Sequence, residues 1–339
     1  MARGITLGVL LVLVGCQRPQ TPPAPVWQDP SSHAVRHVRV DSSTRLETLD
    51  WGGQGPTLVL LAGLGNTAHV FDRFAPHLTD SFHVVGITRR GFGASDQPPA
   101  VDLQVLVADI ATVLDSLEQR QVILVGHSIA GDELTAFAAA HPGRTTALVY
   151  LDAAYDRTGL PSLFQAHPIP PIPGMTSSDS ASPAAGQAYL SRLFNLDMPE
   201  AEIRAISRFD STGRYAGPVT PDSLVGGIVL RLPSPSYDRV TVPALAIYAV
   251  ADSIHTLIPF YPALDSTARL SAERVLPAFQ SLTRASIEQF RTKVAGGEVL
   301  EIRGANHYVF MSHESETLSA IRSFLARRMK RGAIRLAAH

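Results

Sequence analysis

The stretch VGHSIAG, residues 125–131, sets a serine among residues small enough to let the backbone turn sharply. Ser128 can serve there as a turn former that bonds locally to the main chain, or as a nucleophile. A serine hydroxyl attacks only when a base takes its proton and a third group holds that base. The second reading therefore needs a histidine and a carboxylate delivered from elsewhere, and the chain has twelve histidines to draw on. No HExxH or CxxC motif occurs. RRGFGASD (89–96) has the glycines of a phosphate-binding loop but neither its lysine nor its helix context, so a structural role is expected for it. Neither a metal nor a cofactor is implied.

Whether Ser128 can act depends on what flanks it. QVILVG (121–126) is a short apolar run, and the alanine-rich DELTAFAAAHPGR that follows the serine is helical in pattern and stops at Pro-Gly, so Ser128 falls on a strand-to-helix turn. At a helix N-terminus, free amides and the helix dipole favour developing negative charge. Similar unbroken apolar runs recur at TLVLLAG (57–63), FHVVGIT (82–88), TALVYLD (146–152) and ALAIYAV (244–250), as suits parallel strands buried on both faces. Leu103, Leu106, Val107, Ile110, Val113, Leu114 and Leu117 share one helical face between two of these runs. Strand and helix in alternation predict an α/β fold, a mostly parallel central sheet with helices on both faces. HAVRHVRV and STRLETLDW alternate as edge strands do.

Residues 153–242 break the rhythm. They hold no convincing strand, a loop-like AHPIPPIPGMTSSDSASPAAG, and two short helices over AGQAYLSRLF and MPEAEIRAISRF. An excursion of this length between core strands is expected to be a cap or lid. A helix over SLTRASIEQFRTKVA, a last strand GEVLEIRG and a closing helix over ESETLSAIRSFLARRM complete a core of residues 33–152 and 243–330, with a basic tail at 331–339.

The first sixteen residues carry one early arginine, Arg3, then an apolar run from Ile5 to Val14 too short to span a bilayer, and a small residue before Cys16. LVGC (13–16) resembles the lipobox of bacterial lipoproteins. The resemblance implies a signal peptide over 1–15 and lipidation of Cys16. It further implies an exported protein held on a membrane, the outer membrane in a Gram-negative source because Gln17 follows the cysteine. Cys16 is the single cysteine, so no intrachain disulfide can form. The Pro- and Gln-rich residues 16–32 read as a tether. A formal charge of −1, without massed basic residues, gives no footprint for nucleic acid, while 45% apolar content is ample for a core.

LVGHSIAG, LLAGLG (60–65) and TRRGFGASD (88–96), in this order, resemble the α/β-hydrolase fold superfamily over roughly residues 35–330, in the branch with an inserted helical cap. The first matches the G-x-S-x-G nucleophile elbow, with Gly126 in place and Ala130, small but not glycine, departing from it. The resemblance implies Ser128 as nucleophile and His307, in IRGANHYVF, as base. His127 is expected to point away from Ser128. The family's usual position for the acid falls on Asp252, just past ALAIYAV; Asp152, at the end of the preceding core strand, is the alternative. Backbone N–H groups of Leu64 and Ile129 would form the oxyanion hole. A serine at 128 argues against the carboxylate-nucleophile chemistry of epoxide hydrolases and dehalogenases. The expected activity is cleavage of a small or medium carboxylic ester through an acyl-enzyme. A proline-aminopeptidase-like amidase, a lactonase or a carbon–carbon hydrolase would reuse the same triad, and a non-catalytic ligand-binding protein would reuse the scaffold.

Overall fold

The structure is a computed structural model describing residues 27–98, 101–330 and 332. The expected signal peptide, Cys16 and most of the tether and basic tail lie outside these residues. From Ser31 onward the described residues form one compact unit, so the cap is no separate body.

The core strands are β1 (Ala34–Arg39), β2 (Arg45–Gly52), β3 (Thr57–Leu61), β4 (His83–Ile87), β5 (Val122–His127), β6 (Thr145–Leu151), and, beyond the cap, β9 (Ala244–Val250) and β10 (Glu298–Arg303). They build one eight-stranded sheet in the order β1-β2-β4-β3-β5-β6-β9-β10. β1 and β2 pair antiparallel at one edge, and from β4 onward every pairing is parallel. The apolar runs are continuous because each central strand is covered on both faces: Leu58 and Leu60 enter one core and Val59 and Leu61 the other. One face is covered by α1 (Leu103–Ser116) and α2 (Ala130–Ala140). The other is covered by the turns at Ala68–Leu78 and, after β10, by α9 (Val309–Ser312) and α10 (Glu314–Lys330). Each large apolar side chain so buried contributes roughly 1.5–3 kcal/mol.

The excursion after β6 holds α3 (Leu160–Ala166), α4 (Pro183–Phe194), α5 (Glu200–Ile206) and α6 (Asp222–Val229). Against expectation it also holds a two-stranded antiparallel hairpin, β7 (Ser207–Phe209) and β8 (Tyr215–Pro218). A stretch as short as SRF, running straight on from α5, carries no alternation from which a strand can be read. Between β9 and β10 come α7 (Ile254–Leu257) and α8 (Ser266–Lys293). The helix expected over 281–295 is thus the C-terminal half of one of 28 residues that runs through Pro277. Proline marks a break by its missing N–H, but Asp265 caps the earlier turn by accepting from Ala268 N–H, and Ala272 and Val275 are buried. No helix among the described residues is long and apolar enough to cross a membrane.

The cap is clamped to the core by one buried carboxylate. Glu202, fully buried on α5, accepts from the Asn66 amide at 2.9 Å, from Thr67 N–H at 3.1 Å and from the Thr67 hydroxyl at 2.5 Å. Burial pushes its carboxyl up to about 7 from an ordinary 4.5, against the opposing pull of the Thr67 and Asn66 donors. Folded protein then holds this proton between pH 4.5 and 7 where unfolded chain has released it, so stability falls as pH rises through that window. Glu202→Gln is expected to flatten the trend. In urea titrations at pH 4.5 and 8 the wild type should lose on the order of 3 kcal/mol more than the variant. Equal losses would show that Glu202 is not the titrating clamp.

Candidate active site

Ser128 sits directly after β5 with φ 55°, in the left-handed region, at a cost for a residue with a Cβ of roughly 1–2 kcal/mol. Three hydrogen bonds hold the bend: its N–H donates to Leu151 O on β6, its carbonyl accepts from Gly131 N–H, and the Arg157 guanidinium donates to that carbonyl at 2.7 Å. Small neighbours are required on steric grounds. A Cβ on Gly126 would lie 2.9 Å from Ala130 Cβ and 3.0 Å from Leu134 Cγ, so Gly126 and Ala130 share the space a strict motif divides between two glycines. The position that tolerates no side chain is Gly131, where a Cβ would run into the Ala153 carbonyl oxygen.

His307, in the loop after β10, donates from Nδ1 to Asp152 Oδ2 at 2.6 Å. Asp152 follows β6 with φ 45° and is 2% exposed. Its other oxygen accepts from the Tyr155 hydroxyl at 2.6 Å and from Ala249 N–H at 3.0 Å, so the carboxylate is fixed by three donors. This corrects the preference for Asp252. Asp252 is exposed, and its Oδ1 accepts from the Thr256 hydroxyl at 2.9 Å, one turn along at α7. It is the strand-end aspartate that tidies a turn, whereas β6 ends one strand nearer the elbow and delivers Asp152 instead. With Nδ1 committed to Asp152, His307 Nε2 is left with no hydrogen-bond partner among the described residues.

The Leu64 loop lies against the elbow. A Cβ on Gly63 would fall 3.1 Å from Ser128 Cβ and 2.7 Å from His127 Nδ1, so glycine is what lets these chains approach. Among the described residues, neither Leu64 N–H nor Ile129 N–H donates to a protein acceptor, and Ile129 stands at the N-cap of α2. His127 is 1% exposed and donates from Nε2 to the His307 carbonyl at 3.1 Å. Burial, with the neighbouring His307 adding to it, holds His127 well below the ordinary histidine range and keeps it neutral. It therefore tethers the loop that bears His307.

Two buried ion pairs on the first turn of α2 fix the loops around Ser128. Arg89 donates to Glu133 at 2.5 Å and to the carbonyls of Ala62 and Gly63, tying the Leu64 loop to the helix behind the elbow. Arg157 donates to Asp132 at 2.6 Å and to the carbonyls of Ser128, Ala153 and Tyr155. The structural role expected for RRGFGASD is thereby specified, and Arg90 in turn pairs with Asp109. Arg157 and Glu202 carried no sequence signal, since each acquires its partner across the fold, and Tyr155 escaped notice although its partner Asp152 lies only three residues back. The acidic pair Asp132-Glu133 at the start of a helix was the one local hint.

Ser128, Asp152 and His307 open onto one cavity of about 410 Å³ between the cap and α8, within the usual range for small-molecule sites. The chain matches the sequence model described as alpha/beta hydrolase fold over residues 56–175. It is 25% identical over 279 residues to the 2-(acetamidomethylene)succinate hydrolase of Mesorhizobium japonicum, covering 80% of this chain and 89% of that protein. It is 24% identical over 275 residues to the non-heme chloroperoxidase of Streptomyces lividans, covering 72% and 91%. The crystal structure of an E-2-(acetamidomethylene)succinate hydrolase superposes with a TM-score of 0.63 at 22% identity, covering 87% of this chain and 99% of that one. Sheet order, elbow and these likenesses agree: this protein has the α/β-hydrolase fold.

Proposed function

We propose that the protein is a serine hydrolase that cleaves carboxylic esters through an acyl-enzyme, with Ser128 as nucleophile, His307 as base and Asp152 as acid. The observation that carries this reading is the 2.6 Å bond from His307 Nδ1 to a buried, threefold-held Asp152, in the same cavity as a serine on a left-handed elbow. Ser128 Oγ attacks the ester carbonyl as His307 Nε2 takes its proton; the imidazolium is stabilised by Asp152, which does not itself become protonated. The N–H groups of Leu64 and Ile129 receive the oxyanion, each worth roughly 3 kcal/mol. His307 then protonates the departing alcohol, and a water activated by the same nitrogen releases the acid. The likeness to proteins named as hydrolases supports the reaction class.

The lipobox-like LVGC belongs to the same proposal: Cys16 carries the lipid that holds the exported enzyme on a membrane. Several acyl chains on one residue anchor firmly where a single chain is marginal.

A fluorophosphonate is expected to label wild type and leave Ser128→Ala unlabelled, with ester turnover in the variant down by orders of magnitude at unchanged circular dichroism. Near-wild-type turnover in Ser128→Ala would refute the mechanism. Asp152→Asn should lower kcat by about 10³–10⁴ through the wrong imidazole tautomer, while Asp252→Asn stays within about tenfold of wild type. The reverse ranking would restore Asp252 as the acid. Cys16→Ala is expected to move the protein from the membrane to the soluble fraction of the producing cell, and unaltered membrane association would remove the anchor from the proposal.

A further inference from the structure

The cavity before Ser128 has a one-sided chemistry. Its lining includes Phe164 of α3, Ile172 and Phe260, together with Val275, Phe279 and Leu282, whose spacing sets them along one face of α8. Apart from tyrosines, the ionisable groups among the described lining residues are Asp152, Arg157 and His307. None is an unpaired cation. Asp152 and His307 hold each other, and Arg157 is paired with Asp132, its Nη1 and Nη2 also donating to three backbone carbonyls. A ligand carboxylate entering here would lose its water and gain no cation.

The mouth is built rigidly in the same chemistry. HPIPPIP (167–173) carries four prolines around Ile169 and Ile172, both lining the cavity and about half exposed. Prolines fix φ at four of these seven positions, which restricts the backbone that carries the two isoleucines. Both ends are pinned: the Ser271 hydroxyl on α8 donates to Pro168 O at 3.1 Å, and the Tyr189 hydroxyl on α4 donates to Pro173 O. A preformed apolar mouth costs a ligand little ordering.

We infer that the site takes uncharged esters with one extended apolar arm lying between the 167–173 loop and α8, and rejects esters whose arm ends in a carboxylate. The inference rests on the serine hydrolase reading above. It also separates this chain from the relative whose name specifies a succinate derivative.

The test uses the folded enzyme and two mirror series in a pH-stat: methyl esters of acids from acetate to decanoate, and acetates of alcohols from methyl to octyl. In one series kcat/KM should rise about fourfold for each methylene until the arm fills the cavity, the fold-change of burying that group. The acid-tipped counterpart, such as methyl hydrogen octanedioate against methyl octanoate, should fall at least about a hundredfold. Ile172→Arg, at a half-exposed position that folding tolerates, should narrow that gap at least about tenfold by supplying the missing cation. Flat profiles in both series, or equal turnover of acid-tipped and plain esters, overturn the inference. Fluorophosphonate labelling separates the two failures. Labelled enzyme with flat profiles leaves the hydrolase reading standing, whereas no labelling and no hydrolysis of any ester removes both.

Discussion

The structure depends on one tight bend. A chain leaving β5 must reverse into α2 within a residue, and Ser128 adopts a left-handed conformation to do it. That is possible only where the next layers of backbone come close, so Gly63 abuts Ser128, Gly126 abuts Ala130 and Gly131 abuts the Ala153 carbonyl. The last contact joins the elbow to the strand end that bears Asp152. The strain at Ser128 and the position of Asp152 are therefore consequences of the same packing. An elbow relaxed into ordinary helix geometry would withdraw the hydroxyl and loosen the segment that holds the carboxylate.

Charge reinforces what packing begins. Glu133 and Asp132 are almost completely buried, a placement that costs several kcal/mol per ion unless a partner is fixed beside it. Arg89 and Arg157 are those partners, and each spends its remaining donors on backbone carbonyls of the loops around Ser128. The two guanidiniums act as cross-braces: one between the Leu64 loop and α2, the other between the elbow and the first residues of the cap. Removing either arginine would strand a buried carboxylate, typically 3–5 kcal/mol of destabilisation. The His307 loop is braced by neutral groups instead, His127 bonding its carbonyl and Asn306 reaching Phe194 O on α4.

What was legible in the sequence is what local pattern determines. Parallel strands buried on both faces read as apolar runs, and a serine between a strand and a helix reads as an elbow. Which aspartate His307 meets was not legible, because Asp152 and Asp252 both follow core strands and only the folded chain shows that Asp152 is the one held by Ala249 N–H and Tyr155. The full length of α8 was hidden by Pro277, whose helix is held by a cap and by burial that become visible only in three dimensions. The β7–β8 hairpin is too short to show a period. Arg157 and Glu202 share one reason for escaping notice: each is defined by a partner on another element.

The central claim is that Ser128, His307 and Asp152 act as one unit with Leu64 and Ile129. A crystal structure of the fluorophosphonate-treated protein addresses it directly. It should show phosphorus bonded to Ser128 Oγ, one phosphoryl oxygen roughly 2.7–3.1 Å from the backbone nitrogens of both Leu64 and Ile129, and His307 Nδ1 still on Asp152. Phosphorus on another residue, an oxygen turned away from both nitrogens, or His307 swung to Asp252 would contradict it.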